Sequence, residues 1–426
     1  MADIVKRLPE LLRPDAARTV LRPFTIEDPS VSDCPRSQKI IERIMSLGGA
    51  EMRAELDLLD ARLDGRHPDV DIVLQRRYEE FSGLMMSRTP ATEDQCKLIG
   101  AYFIEEFSFE SAALFNPSVV RHPDQSGVGA GDVRIVVSLR GIGEGHISSL
   151  IFRTGTWGAD GVVTMDEPSQ FAVGPKIERT EGREGELVVH LVSDSAREIS
   201  ETVIYPFLPS QGRGIEDARL VEFTDDDGAK DYRGTFTAFN GADVRQALLR
   251  TKDFRTFEAR GVRGELYQGK GMALFPRKID GRFMMLGRQD NENIWLLSSA
   301  TFDGWSGGEM IISPRWPWEF VQMGNCGSPI EIDEGWLVLT HGVGAVRNYC
   351  IGACLLDKAN PSKVLGRTAN PILSPEAALR DGYVPNVVYS CGSLLRDRTL
   401  LLAYGVADNF AAFATVELDE LLKVMV

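Results

Sequence analysis

The chain has 426 residues, 43% of them hydrophobic and 26% charged, with 47 Lys and Arg against 62 Asp and Glu and a formal net charge of −15. That balance argues against nucleic-acid and anionic-membrane surfaces, which need basic patches, while the apolar share suffices for a sizeable core. No apolar run reaches the roughly 18 residues of a membrane helix, and the charged start MADIVKRLPELLRPDAARTVLRPF does not read as a secretory apolar segment.

The first hundred residues differ from the rest. SQKIIERIMSLGGAEMRAELDLLDARL and DIVLQRRYEEFSGLM carry apolar residues at i, i+3, i+4 and i+7, the spacing of amphipathic helices. TPATEDQCKLIGAYFIEEFSF opens on a threonine-led capping sequence and continues helically. Residues 1–105 are therefore expected to form a helical extension that packs on the main domain or on a partner subunit, which leaves self-association open.

From about residue 110 the pattern changes to short β-rich runs separated by Gly, Asp and Asn turns, and a repeat emerges. Each unit has a lead strand, a strongly apolar second strand with a polar ending, a loop and a further strand. The second strands are RIVVSLR to Arg140, GTFTAFN to Asn240, RFMMLGR to Arg288, WLVLTH to His341, and LLLAYG past Tyr404. The lead strands are LFNPSVV, IEDARLVEF, MALFPRKI, GSPIEI and VPNVVY. After a longer first interval, which holds a β-rich insertion around 155–205, the endings are about 48, 53 and 64 residues apart. Such a period with several strands per unit indicates propeller blades. A solenoid fits less well, because the units vary in length and the last is no polar cap. The predicted fold is an all-β, five-bladed β-propeller over residues 106–426 with the helical extension before it.

In a propeller the lead and second strands lie near the axis, so their ends converge. Singly, Arg140, Asn240, Arg288 and His341 are ordinary turn or edge residues; in register across blades they point to one pocket. QGRGIEDARLVEF (211–223) is the second lead strand, so Glu216 and Asp217 fall near the axis beside Arg219. Lys270, between two glycines in GKGMALFP, and Asp408, in YGVADNF, join them. Lys270, Arg288, Arg140 and Arg263, with His341, suit an oxyanion such as phosphate; alternatively these cations pair with Asp290, Glu292 and Asp408. Hydrolytic glycosidases need two carboxyl groups. If phosphate is the nucleophile, one general acid and a set of cations suffice.

The segments GIEDAR, GKGMALFPRKIDGRF, THGVG, RNYCIGACLLDKANPSKVLGRT, NPILSP, GYVPNVVYSCG and AYGVAD resemble glycoside hydrolase family 130. Its members are five-bladed propellers acting on β-mannosides, mostly as inverting phosphorylases and in some cases as hydrolases. The resemblance runs in order over about 110–426 and leaves the helical region outside. It implies Asp217 as general acid, its proton reaching the glycosidic oxygen through a hydroxyl of the bound mannose. It implies Lys270, Arg288 and His341 as phosphate ligands, with Arg263 as a companion, and Asn116, Arg140 and Asp408 as contacts of the −1 sugar. Tyr383 and Asn386 line the same pocket on this view, and Glu216, Asn240 and Asp290 complete the substrate-facing set.

The chain also departs from the family pattern. Ala218 replaces the usual proline after the acid, NCGSPI replaces a Gly-Gly-Pro-Pro-like run, and GRQDNENIW replaces an HRP-like run, adding Asp290 and Glu292 beside Arg288. Because hydrolytic members lose phosphate ligands and gain glutamates, Glu292 is the feature that favours a β-mannosidase. The retained Lys270, Arg288 and His341 favour phosphorolysis: an oligosaccharide cleaved by inorganic phosphate as co-substrate to mannose 1-phosphate, with no metal or organic cofactor. A sugar-binding propeller without activity is the alternative of another class. The six cysteines (Cys34, Cys96, Cys326, Cys350, Cys354, Cys391) form no CxxC pair and no cluster with histidine, so reduced thiols, a cytoplasmic location and no zinc site are expected.

Overall fold

Along each long strand of the chain, alternate side chains serve opposite cores, and this alternation builds a ring. Leu400 and Leu402 pack with Leu337 and Leu339, whereas Leu401 and Ala403 pack with Val137 and Leu139. Val136 and Phe152 meet Phe236 and Leu249; Phe223 and Leu248 meet Met285 and Leu297; Leu286 and Leu296 meet Trp336 and Val338. Each cluster joins one sheet to the next, and together they close the circle. The computed structural model describes residues 4–24, 35–82, 90–182, 186–266, 268–379 and 382–426.

Five antiparallel blades result. Blade I comprises Ala113–Arg121, Val133–Ile142, Ser148–Trp157 and Val163–Met165. Blade II comprises Gly214–Thr224, Lys230–Phe239, Val244–Thr251 and Thr256–Gly261, widened by the hairpin Lys176–Glu181 and Leu187–Val192 from the insertion. Blade III comprises Ala273–Leu274, Phe283–Gly287, Ile294–Ser299 and Glu309–Ile312. Blade IV runs from Gln322–Asn325 and Ile330–Ile332 through Gly335–Val343 and Tyr349–Leu356 to Val364–Arg367. Blade V contains Val388–Tyr389, Ser393–Arg396, Thr399–Val406 and Phe410–Glu417. Backbone or backbone-to-side-chain hydrogen bonds stitch each blade to its neighbour: Leu220 N to Ser118 Oγ, Thr224 N to Pro276 O, Met323 N to Glu292 O, Tyr349 N to Asn386 O and Leu114 N to Asn409 O. All-β propeller architecture is thus what the repeat predicted.

The start of the chain corrects one expectation. Helices occupy Pro35–Met45, Gly49–Leu63, Val70–Ser82 and Glu93–Tyr102, the last capped by Thr92 with Gln95 reciprocating. Before them, however, Val5–Leu12 is a strand paired antiparallel with Phe410–Glu417, and Thr19–Pro23 pairs with Ile104–Ser108. The N-terminal strand is therefore the outer strand of blade V, joining the two ends of the chain. Pro9 and the register shift between Arg7 and Leu11 are tolerated because the strand lies at an edge. A buried triad, Arg18–Glu110–Arg153 (3.0 and 2.6 Å), fixes the following segment to blade I. The end of the expected helix DIVLQRRYEEFSGLM past Ser82, and Cys34, lie outside the described residues; the remaining cysteines are buried and free. Among the described residues no helix is long and apolar enough to cross a membrane, and no cluster of metal-ligating side chains occurs.

Candidate active site

Two equivalent backbone irregularities build the acidic side of the axial pocket. The lead strand of blade I shifts register between Phe115 and Ser118, and that of blade II between Glu216 and Arg219. At these bulges Asn116 (φ 52°) and Asp217 (φ 49°) adopt the left-handed conformation, which Asn and Asp tolerate better than most residues. The extra residue turns each side chain inward instead of along the sheet. Asn116 Nδ2 donates to Asp217 Oδ1 at 2.8 Å, and Arg140 lies 2.9 Å from Asp217 and 3.0 Å from Glu216. Asn116 Oδ1 is buried without a protein partner, as a group awaiting a hydroxyl would be. Asp408 (φ 51°), from blade V, completes the group.

These carboxyls are set apart electrostatically. Burial alone would raise Asp217, but Arg140, the Asn116 hydrogen bond, Arg219 and Lys270 outweigh it and hold the carboxyl below its ordinary value. Asp408 is pushed up to about 6, first by burial and then by the charges of Asp217 and Glu216, against the opposing pull of Arg140.

The basic side comes from blades III and IV. Arg288 is 7% exposed, and its Nη1 donates to His341 Nε2 at 3.0 Å. His341 is fully buried; desolvation and the charges of Arg288 and Arg219 keep it neutral, far below the usual histidine value. A neutral ring whose Nε2 accepts from Arg288 orients that guanidinium. Arg288 has no carboxylate partner among the described residues, and its Nε is buried and unsatisfied. Glycines make the room: a Cβ at Gly324 would collide with Arg288 Cδ and lie 2.6 Å from His341 Cε1, and one at Gly271 (φ 90°) would sit 3.3 Å from Arg288 Nε. Lys270 is exposed beside that glycine and forms no ion pair among the described residues. Among the described residues neither cation is ion-paired, an arrangement whose charge an anion could balance.

Not every residue expected in the pocket is free to serve it. Asn240 is exposed, and its Oδ1 accepts from Ala242 N and Asp243 N, capping its own turn. Asp290, lowered to about 2, accepts from the backbone of Glu292 and Asn293 and from the side chains of Asn293 and Trp295. Burial acts against that shift, and the hydrogen bonds exceed it. Short polar side chains close to a turn bond their own backbone first. Arg263 is bound to Asp303 at 2.8 Å, in a cluster that includes Glu186 and Arg260. Glu292 is exposed on its turn and paired with neither Arg288 nor Lys270. Tyr383 stands 82% exposed at the rim, and Asn386 holds the backbone of Tyr349.

Arg219, read from the sequence only as a neighbour of Asp217, has a larger part. Fully buried, it donates to Gly271 O (3.1 Å), Asn325 O (3.2 Å) and Tyr389 Oη (2.6 Å), tying blades II, III, IV and V around the pocket floor. Its place two residues after Asp217 was the available signal. Tyr389 and Gly324 gave none.

Comparison with known proteins bears on this arrangement. A family model of glycoside hydrolase family 130, described as beta-1,4-mannooligosaccharide phosphorylase, matches residues 193–426. A 1,2-beta-oligomannan phosphorylase of Thermoanaerobacter sp. (strain X514) is 36% identical over 214 residues, 49% of this chain and 70% of that protein. A beta-1,2-mannobiose phosphorylase of Listeria innocua is 35% identical over 230 residues, 51% of this chain and 62% of that protein. The solved structure of a beta-1,2-mannobiose phosphorylase from Listeria innocua, in complex with beta-1,2-mannobiose, superposes with a TM-score of 0.51 at 26% identity, covering 75% of this chain and 92% of that one. The propeller, the axial acid–cation pocket and these matches lead to one assignment: the chain belongs to glycoside hydrolase family 130.

Proposed function

We propose that the chain is an inverting β-mannoside phosphorylase, cleaving manno-oligosaccharides or a related mannoside with inorganic phosphate to give mannose 1-phosphate. The observation that carries the reading is the buried Arg288, oriented by His341, near the exposed Lys270, with neither in an ion pair among the described residues. A water nucleophile would need a carboxylate base there; Glu292 stays exposed and unpaired with these cations.

In this mechanism Asn116, Arg140 and Asp408 hold the −1 mannose, Glu216 braces Arg140, and Lys270 and Arg288 hold phosphate on the opposite face of the ring. A phosphate oxygen forms the bond to the anomeric carbon as the glycosidic bond breaks, inverting that centre. Asp217 protonates the leaving oxygen through a hydroxyl of the mannose. Asp217 is held ionised in part by Lys270. Phosphate bound at Lys270 and Arg288 cancels part of that field and shifts Asp217 toward its protonated form. Loading the nucleophile thus arms the acid. Arg263 is a remote companion, reaching phosphate only if it leaves Asp303. The phosphorylated product and the reduced cysteines suit a cytoplasmic setting.

The test is product analysis with β-1,2- and β-1,4-mannobiose, with and without phosphate. Mannose 1-phosphate formed only with phosphate supports the reading. Phosphate-independent release of mannose overturns it.

A further inference from the structure

A cavity of about 320 Å³, sharing no lining residue with the axial pocket, lies where the helical extension meets the insertion. That volume is at the lower end of the roughly 300–1,000 Å³ of small-molecule sites. Its aliphatic wall is Leu21 from the strand Thr19–Pro23, Ile72 and Val73 from the helix Val70–Ser82, and Val173 from the insertion.

Two of its polar groups lack partners. Tyr205 is 5% exposed, and among the described residues no hydrogen bond reaches its hydroxyl. Burial, with the charge of Glu80, pushes that hydroxyl up to about 12 against the pull of Arg22, Arg76 and Arg77, so it remains a donor at neutral pH. Arg76 is half-buried and forms no ion pair among the described residues. The cations beside it are engaged: Arg77 with Glu80 at 2.6 Å, and Arg22 with Glu105 at 2.6 Å above the Phe107 ring. The acids that border the cavity, Asp69, Glu80 and Asp194, are all exposed, so its inner surface offers donors and aliphatic carbon. Gly174 gives the hydroxyl room. Its φ does not demand glycine, but a Cβ there would sit 3.1 Å from Tyr205 Oη and 3.2 Å from Leu21 O.

We propose that this cavity binds a small monocarboxylate with an apolar body, its carboxylate between Arg76 and the Tyr205 hydroxyl and its body on the aliphatic wall. One unpaired guanidinium matches one negative charge, whereas a sugar would leave hydroxyls unbonded against Leu21, Ile72 and Val173. The occupant clamps the extension to the insertion, independently of phosphorolysis in the axial pocket. Calorimetric titration of the full chain with benzoate, benzyl alcohol and acetate tests this, because benzoate has both charge and body and each of the others lacks one. Benzoate should bind at least about tenfold tighter than either. Arg76→Gln should weaken benzoate about tenfold and Tyr205→Phe about fivefold, as loss of a charge-assisted hydrogen bond implies. Gly174→Ala should weaken it as well, by filling the space at the hydroxyl. Arg288→Gln should bind it as the parent chain does. In the parent chain, which needs no substitution, benzoate should slow amide hydrogen exchange in residues 70–80 and 172–177 together. No benzoate binding, or binding without that paired protection, overturns the proposal. Equal affinity for benzyl alcohol overturns the carboxylate. Binding lost in Arg288→Gln and kept in Arg76→Gln puts the anion in the axial pocket and overturns the site.

Discussion

Replacing Arg288 with glutamine separates a binding role from a structural one. The guanidinium is buried and faces no acid, so its charge should cost the folded chain stability and gain its return only when an anion enters. Arg288→Gln removes that charge and keeps an amide able to donate to His341. A charge-assisted hydrogen bond contributes about 1.5–3 kcal/mol, and a unit charge 4 Å from one phosphate charge at an effective dielectric of 20 contributes about 4 kcal/mol before desolvation. After desolvation, a net loss of about 3 kcal/mol is expected, which raises the phosphate KM roughly 150-fold. The assay is mannose 1-phosphate release against phosphate concentration, paired with thermal melts. The parent chain should melt higher in phosphate, as a ligand of the native state requires. Without phosphate the variant should melt at least as high as the parent, and it should gain nothing from phosphate. An unchanged phosphate KM, or a sharp fall in the variant's melting temperature without phosphate, would show that Arg288 serves the fold and not the anion.

Asp217→Asn preserves the shape at the bulge but leaves no proton to give, so turnover should fall by at least about 10²-fold, with circular dichroism unchanged; appreciable residual activity would show the acid to be another residue. Asp408 is raised to about 6 from an unfolded value near 4. Its ionised form therefore destabilises the native state above pH 6, and that penalty fades as pH falls toward 4. Asp408→Asn should thus raise stability by about 2 kcal/mol at pH 7.5 and by little at pH 4, while lowering activity; melts across pH would show a constant difference if the account fails. Gly324→Ala should force Arg288 and His341 apart and raise the phosphate KM more than the saccharide KM, because the added Cβ meets those two side chains; equal effects on both would contradict the packing.

How legible all this was depended on how far each residue's partners lay along the chain. The blades were readable because each second strand repeats an apolar run with a polar ending, and Arg140, Arg288 and His341 do reach the axis. Asn240 shares that pattern, and Asp290 lies two residues past Arg288, yet both bond their own turns, because a backbone N–H two or three residues away outcompetes a distant ligand. Arg263 was drawn to Asp303, 40 residues on, a pairing with no local signature. The strand Val5–Leu12 was hidden by its proline and charges, which suit an edge strand that only the far end of the chain could reveal. The bulges that turn Asn116 and Asp217 inward appear only as a register shift between paired strands.

Phosphorolysis requires that phosphate, not water, attack the anomeric carbon. Phosphorus NMR of the chain with limiting inorganic phosphate and excess mannobiose reads that step directly. In phosphorolysis each bond cleaved should consume one phosphate and yield one α-mannose 1-phosphate. Cleavage with the phosphate signal unchanged and free mannose accumulating would contradict it.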